Sequence, residues 1–219
     1  MPSPTRLFTV FAALTAVAVA APAHAGALNP WYGRLDDGAA AVTPYVYVGN
    51  DAEVTPSVYV QSSFAGHFDV LVGAGGAFSP DGESTFTTVD LMPRVFLTDN
   101  LGATVRTIID PQSGDASVGP EVHAVFSRSA LTFASNIGYA DGTTYGLLAP
   151  ELALGDRTSV FFEVNPAFGA DSVDLTLVPG LGLTLDRAGN HTAALGVQVP
   201  ALAAAAPSYG LWYSTGFGG

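Results

Sequence analysis

Residues 173–185 read Val-Asp-Leu-Thr-Leu-Val-Pro-Gly-Leu-Gly-Leu-Thr-Leu, and this stretch decides the fold. Val173, Leu175, Leu177, Leu181, Leu183 and Leu185 share one parity, while Asp174, Thr176, Gly180, Gly182 and Thr184 share the other. Side chains of a β-strand point alternately to the two sheet faces, so this is a strand with one apolar and one polar, glycine-rich face. It is also long. Strands of globular proteins average about 5–6 residues, whereas tilted strands that cross a bilayer need about 9–11. Residues 85–98 repeat the scheme, with Val89, Leu91, Val95 and Leu97 opposite Thr88, Asp90 and Arg94. In residues 208–217, Tyr209, Leu211, Tyr213 and Phe217 oppose Ser208, Gly210 and Ser214.

Working outward from these segments, period-two alternation punctuated by Gly, Asp, Asn and Pro predicts twelve strands. They are Val42–Gly49, Glu53–Phe64, His67–Phe78, Thr85–Thr98, Gly102–Asp110, Val118–Ser127, Ala130–Ala140, Thr144–Gly155, Thr158–Phe168, Val173–Asp186, His191–Ala201 and Ser208–Phe217. Ten remain if two of these are loops. An even count places both ends of the sheet on one side. Connections on the far side, such as 110–117 and 201–207, are on the whole longer than those on the near side, such as 65–66 and 128–129. That asymmetry fits outer loops against periplasmic turns.

Two all-β architectures share this alternation: a soluble sandwich with the apolar face inward, and a membrane barrel with it outward. Composition separates them. Charged residues make up 12%, about half the usual share, and hydrophobic residues 48%, so there are too few charges to wet an ordinary surface. The polar faces carry Gly, Ser, Thr and isolated charges instead of the Lys and Glu that guard wet sheets. A single up-and-down antiparallel transmembrane barrel of about twelve strands is therefore the expected fold, with an exported soluble β-sandwich as its competitor.

The chain has seven Arg, no Lys and a net charge of −12. Nucleic-acid binding needs a basic patch, which is missing here. With no Cys, disulfides, thiolate metal sites and thiol nucleophiles are excluded. The start has the form of a secretory leader. A weakly positive beginning to Arg6 is followed by an apolar run over residues 7–21 and by Ala23-His24-Ala25, a small-x-small cleavage pattern. The apolar run is short for a spanning helix. Cleavage after Ala25, a periplasmic segment over residues 26–41 and a barrel over residues 42–219 are the expected organisation.

Strict alternation turns Asp69, Asp90, Glu121, Glu151, Glu163 and Asp174 inward, with Arg94 and Arg106, and with Tyr45, Tyr47 and Tyr59. These acidic, Arg-containing positions are the candidate lumen lining. Water in such a lumen would favour cations, whereas an internal network would pair the charges, with Asp90, Arg94 and Arg106 as the expected partners. Glu121 and His123, two apart on one face, have the spacing of half an acid/base or metal pair, and a polar lumen pair accounts for them equally. No phosphate loop, helical zinc motif or nucleophile elbow occurs, so no catalytic residue, metal or cofactor is expected. Outer-membrane lipid and small solutes are the expected partners.

The last strand, Tyr209-Gly210-Leu211-Trp212-Tyr213-Ser214-Thr215-Gly216-Phe217, resembles the closing strand of bacterial outer-membrane barrels, although Gly218-Gly219 follow the aromatic residue that usually ends them. The stretch from Asp174 to Leu183, with Leu195-Gly196-Val197-Gln198-Val199-Pro200, is similar to small barrels described as phenol meta-cleavage pathway transporters. The resemblance implies an outer-membrane location and passage of small, often hydrophobic solutes; either a passive channel or a closed surface-interaction barrel has this form. One feature conflicts with strand structure: Pro44, Pro56, Pro93, Pro120, Pro150, Pro166, Pro179 and Pro200 all fall inside predicted strands, where proline removes a ladder donor.

Overall fold

The computed structural model describes residues 34–217, apart from residues 50, 65, 187–189 and 203–204. The leader, its cleavage site and the Gly-Gly tail lie outside the described residues. Twelve antiparallel strands follow in chain order: β1 (Ala40–Val48), β2 (Val54–Phe64), β3 (Phe68–Phe78), β4 (Ser84–Thr98), β5 (Leu101–Ile109), β6 (Ala116–Arg128), β7 (Leu131–Ala140), β8 (Thr143–Ala153), β9 (Thr158–Phe168), β10 (Val173–Thr184), β11 (His191–Pro200) and β12 (Ser208–Phe217). Each pairs with its sequence neighbours, and β1 pairs with β12. The sheet therefore closes on itself, which rules out the sandwich and the ten-strand count. The first strand begins at Ala40, two residues before the expected boundary.

The face assignment holds in three dimensions. In β10, β11 and β12 the outward Leu181 and Leu195 are 52% and 56% exposed, whereas the inward Val178 and Ala194 are each 2% exposed. Val58, Val60, Val72, Leu91, Val105, Val122 and Leu211 extend this apolar outer wall around the barrel. Phe64 and Phe68 flank the near-side turn between β2 and β3, and Phe78, Phe86, Tyr139 and Tyr209 lie outward toward the far-side ends of their strands. An aliphatic band with aromatic residues toward both edges is the outer surface of a transmembrane barrel. In water such a continuous apolar wall would aggregate.

Short turns join the hairpins. Between β7 and β8, Asp141 and Gly142 both adopt positive φ, 48° and 77°, as a tight two-residue hairpin turn requires. The closed ladder matters more here than in a soluble protein, because lipid offers no hydrogen bonds to a stray backbone group.

The strand prolines follow a rule. The β1–β12 ladder skips from Val42–Thr215 to Tyr45–Trp212 at Pro44, and the β2–β3 ladder from Val54–Phe78 to Ser57–Gly75 at Pro56. The β4–β5 ladder skips from Leu91–Thr107 to Arg94–Thr104 at Pro93. The β6–β7 ladder ends at Glu121–Gly138, beside Pro120. Two gaps in the β8–β9 ladder flank Leu148–Val164, at Pro166 and Pro150. The β10–β11 ladder skips from Leu177–Val199 to Gly180–Gly196 at Pro179. The alternate ladders, β1–β2, β3–β4, β5–β6, β7–β8, β9–β10 and β11–β12, have no proline gap; the β3–β4 ladder carries one register shift, at Gly75/Gly76. In an antiparallel pair a residue directs its N–H and C=O to one neighbour only. A proline turned toward one seam therefore leaves the opposite ladder whole. The barrel is built from six hairpins free of proline gaps, closed by far-side loops and joined along six seams at which the prolines fall. Pro200, at the end of β11, still pairs with Thr176 and stands outside the rule.

Candidate functional site in the barrel interior

Alternation carries the polar parity of every strand to the inside. On β3 to β6 these positions are charged, and they meet. Asp69 on β3 stands directly opposite Arg94 on β4. Arg94 donates from Nε to Asp69 Oδ1 at 2.6 Å and from Nη2 to Oδ2 at 2.5 Å. Gln61 on β2 donates to Asp69 Oδ2 at 2.9 Å. Asp69 is 0% and Arg94 1% exposed, so this bidentate pair is fully out of water. Such a pair holds because each charge and its remaining hydrogen-bonding groups are matched.

A second group lies alongside. Arg106 on β5 donates from Nη2 to Asp90 Oδ2 at 2.6 Å and from Nε to Asp90 Oδ1 at 3.1 Å. Its Nη1 lies 3.6 Å from Glu121 Oε2 on β6. Tyr145 Oη donates to Glu121 Oε2 at 3.0 Å, and Asn136 Nδ2 donates to Oε1 at 3.3 Å. His123 Nδ1 is 3.8 Å from Glu121 Oε1. Phe96 meets the His123 ring edge-on, at 5.9 Å between centroids, and the Arg94 guanidinium carbon at 5.3 Å. Three carboxylates thus face two guanidinium groups, with the His123 ring beside the third carboxylate. Glu121 is held by four groups at once, an environment that fixes a charge more than it frees a base.

The remaining interior wall is aromatic and aliphatic. Tyr45, Phe161 and Trp212 are buried in one cluster with Leu147, Ala149, Val178 and Ala194, and Tyr47 and Tyr59 pack against it. Trp212 lies 5.4 Å from Phe161 and 6.2 Å from Tyr45 between ring centroids. Glycine makes room for these rings. A Cβ on Gly73 would fall 2.1 Å from Tyr59 Cε1, and one on Gly180 would fall 2.1 Å from Phe161 Cζ. The interior is thus two-sided: the ion pairs lie over β3–β6, and the rings lie over β9, β12, β1 and β2, with Glu163 of β9 buried on that side.

A cavity of about 270 Å³ opens at the charged side. Arg94, Arg106, Glu121, His123, Asn136 and Tyr145 line its polar wall, with Met92 and Leu147 among its apolar residues. Of the residues expected inward, Asp69, Asp90, Arg94, Arg106, Glu121 and His123 come together, while Tyr45, Tyr47 and Tyr59 join the aromatic side. Glu151 and Glu163 are buried on β8 and β9. Asp174 is exposed near the start of β10 and does not join the cluster. Arg94 takes Asp69 as its partner, where Asp90 was expected, and Asp90 pairs with Arg106; register decides this, and alternation leaves register open. Gln61, Asn136 and Tyr145 complete the charged group without having been singled out from sequence. Their signal was parity: Gln61 lies two residues from Tyr59, and Tyr145 six from Glu151.

No protein-family model matches the chain, and no curated protein matches its sequence. Solved structures do match. The KdgM porin in complex with disordered oligogalacturonate superposes with a TM-score of 0.60 at 10% identity, over 82% of this chain and 99% of that one. The NanC porin gives 0.60 at 9% identity, over 80% and 98%. The COG4313 outer membrane channel from Pseudomonas putida F1 gives 0.57 at 12% identity, over 86% and 99%. At these identities the likeness is one of fold: this chain is a closed twelve-strand barrel of the outer-membrane porin-like architecture.

Proposed function

We propose that the chain is exported, loses its leader after Ala25, inserts in a bacterial outer membrane and passes small solutes passively through an acidic, Arg-containing lumen. The observation that carries this reading is the pairing of an apolar outer wall with a charged interior that keeps a cavity. A barrel needed only as a membrane anchor has no use for buried ion pairs beside open space. The porin and channel neighbours support the same reading, and the resemblance to phenol-pathway barrels adds hydrophobic solutes to the range.

Cargo charge is argued from the interior itself. The KdgM porin was solved with an oligogalacturonate, a polyanion. In this chain both interior arginines of the cluster are committed to carboxylates, which outnumber them three to two. Cations and neutral solutes suit it better than anions. A second reading, a closed barrel serving at the surface, is favoured by the same ion pairs, since they tie neighbouring strands from β3 to β6 together along the inner wall. Liposome swelling separates the two. Vesicles carrying the folded mature protein are expected to swell in small neutral solutes faster than empty vesicles; equal rates would favour the closed barrel.

A further inference from the structure

We infer that the interior is a blind vestibule, open on the far side and floored over the near half of the barrel by a dry layer of side chains, and that the Asp69–Arg94 bridge in this floor is the constriction that governs passage. The vestibule and its floor stand on the structure alone; the part of the bridge in passage rests on the channel reading and deepens it. Two observations converge. The first is that the inward side chains are wet toward one end only. In the near-side halves of their strands, Gln61, Ser63, Leu71, Arg94 and Phe96 are buried on one side of the barrel, and Ala149, Ser159, Phe161, Ala194 and Ser214 on the other. In the far-side halves, Tyr47, Thr88, Ser117, Asn165 and Gln198 keep part of their surface in solvent. A water-filled pore through the near half would wet the first set as it wets the second. The second observation is the course of the cavity. Its lining runs from Asn165, Pro166 and Ala167, at the far-side end of β9, to Arg94 and His123, in the near-side halves of β4 and β6.

At the bottom of that course the floor is charged. Arg94 lines the cavity and closes its fork on Asp69, which also accepts a hydrogen bond from Gln61. Phe96, two residues nearer the turn, packs against the same guanidinium. An ion that enters a dry layer loses its water at a large cost unless protein groups replace it. While Asp69 and Arg94 hold each other, neither is available to a passing ion. Removing both charges together leaves no unmatched partner behind, and it shortens two side chains in a closely filled layer, which opens space there.

The chain has no Cys, so each single cysteine variant reports one position. A charged methanethiosulfonate reagent added to the folded mature protein in detergent micelles is expected to modify T88C and S117C readily, and S63C and S159C only on unfolding. In planar bilayers under symmetric KCl, D69S/R94S and F96A are each expected to show a several-fold larger unit conductance than the wild type, and D69S/R94S should admit the reagent to S63C. Heat-modifiable gel mobility identifies the folded variants. Equal modification of all four cysteines in the folded barrel overturns the floor. Unchanged unit conductance in folded D69S/R94S, or in F96A where the double variant does not fold, overturns the constriction. Selective modification with no current in the wild type or either variant keeps the vestibule and removes the channel.

Discussion

Arg94 shows how much of the interior rests on single side chains. It is 1% exposed and its fork is closed by Asp69. Replacing Asp69 by Asn leaves a guanidinium buried without its counter-charge, which costs about 3–5 kcal/mol when one partner of a buried pair is removed. Urea unfolding of the barrel in lipid vesicles should show this loss for D69N, and the double variant D69N/R94M should recover most of it. Equal stability of D69N and the wild type would mean that the pair is not formed. Gly73 makes a second prediction at this scale. A valine there has no place beside Tyr59, so G73V should destabilise the barrel by about 1–3 kcal/mol, the usual effect of overpacking, and G73V/Y59A should restore part of it in the same unfolding assay. The inward placement of these residues was legible from parity alone. Which acid meets which arginine was not, because a register shift of two residues preserves every face while changing every partner.

Strands and their order were the most legible level. An alternation of apolar and small polar residues over about ten positions has few solutions, and all twelve segments appear within a few residues of where periodicity placed them. The prolines marked the limit of that legibility. Their outward parity is visible in residues such as Pro93, Pro120 and Pro179, but their confinement to every second ladder emerges only from the pairing. The physical rule is that each proline discards a donor toward one neighbour and leaves the other hairpin untouched. Amides bordering the seams should therefore exchange with deuterium faster than those within the β3–β4 or β9–β10 ladders. Pro179 is exposed on the outer wall, so Pro179→Val returns a donor to the β10–β11 seam without disturbing the interior. Its expected effect is a gain of about 1 kcal/mol in unfolding free energy, the net worth of one hydrogen bond. A loss of stability would show that the seam is held open by something other than the missing donor.

At the scale of the whole molecule, closure between β1 and β12 turns an alternating sequence into a wall with an apolar face outside and, inside, a space that is charged on one side and aromatic on the other. The low share of charged residues becomes intelligible here: the apolar outer band needs none, and the inside gathers a few into one cluster. The central claim is that this interior conducts and prefers cations. Its most direct measurement is the reversal potential of the folded barrel in a planar bilayer under a KCl gradient. The account predicts discrete conductance steps and a reversal potential displaced toward that of K⁺, with the displacement reduced in E121Q. Inserted, folded barrels that pass no current, or a reversal potential on the chloride side, would contradict it.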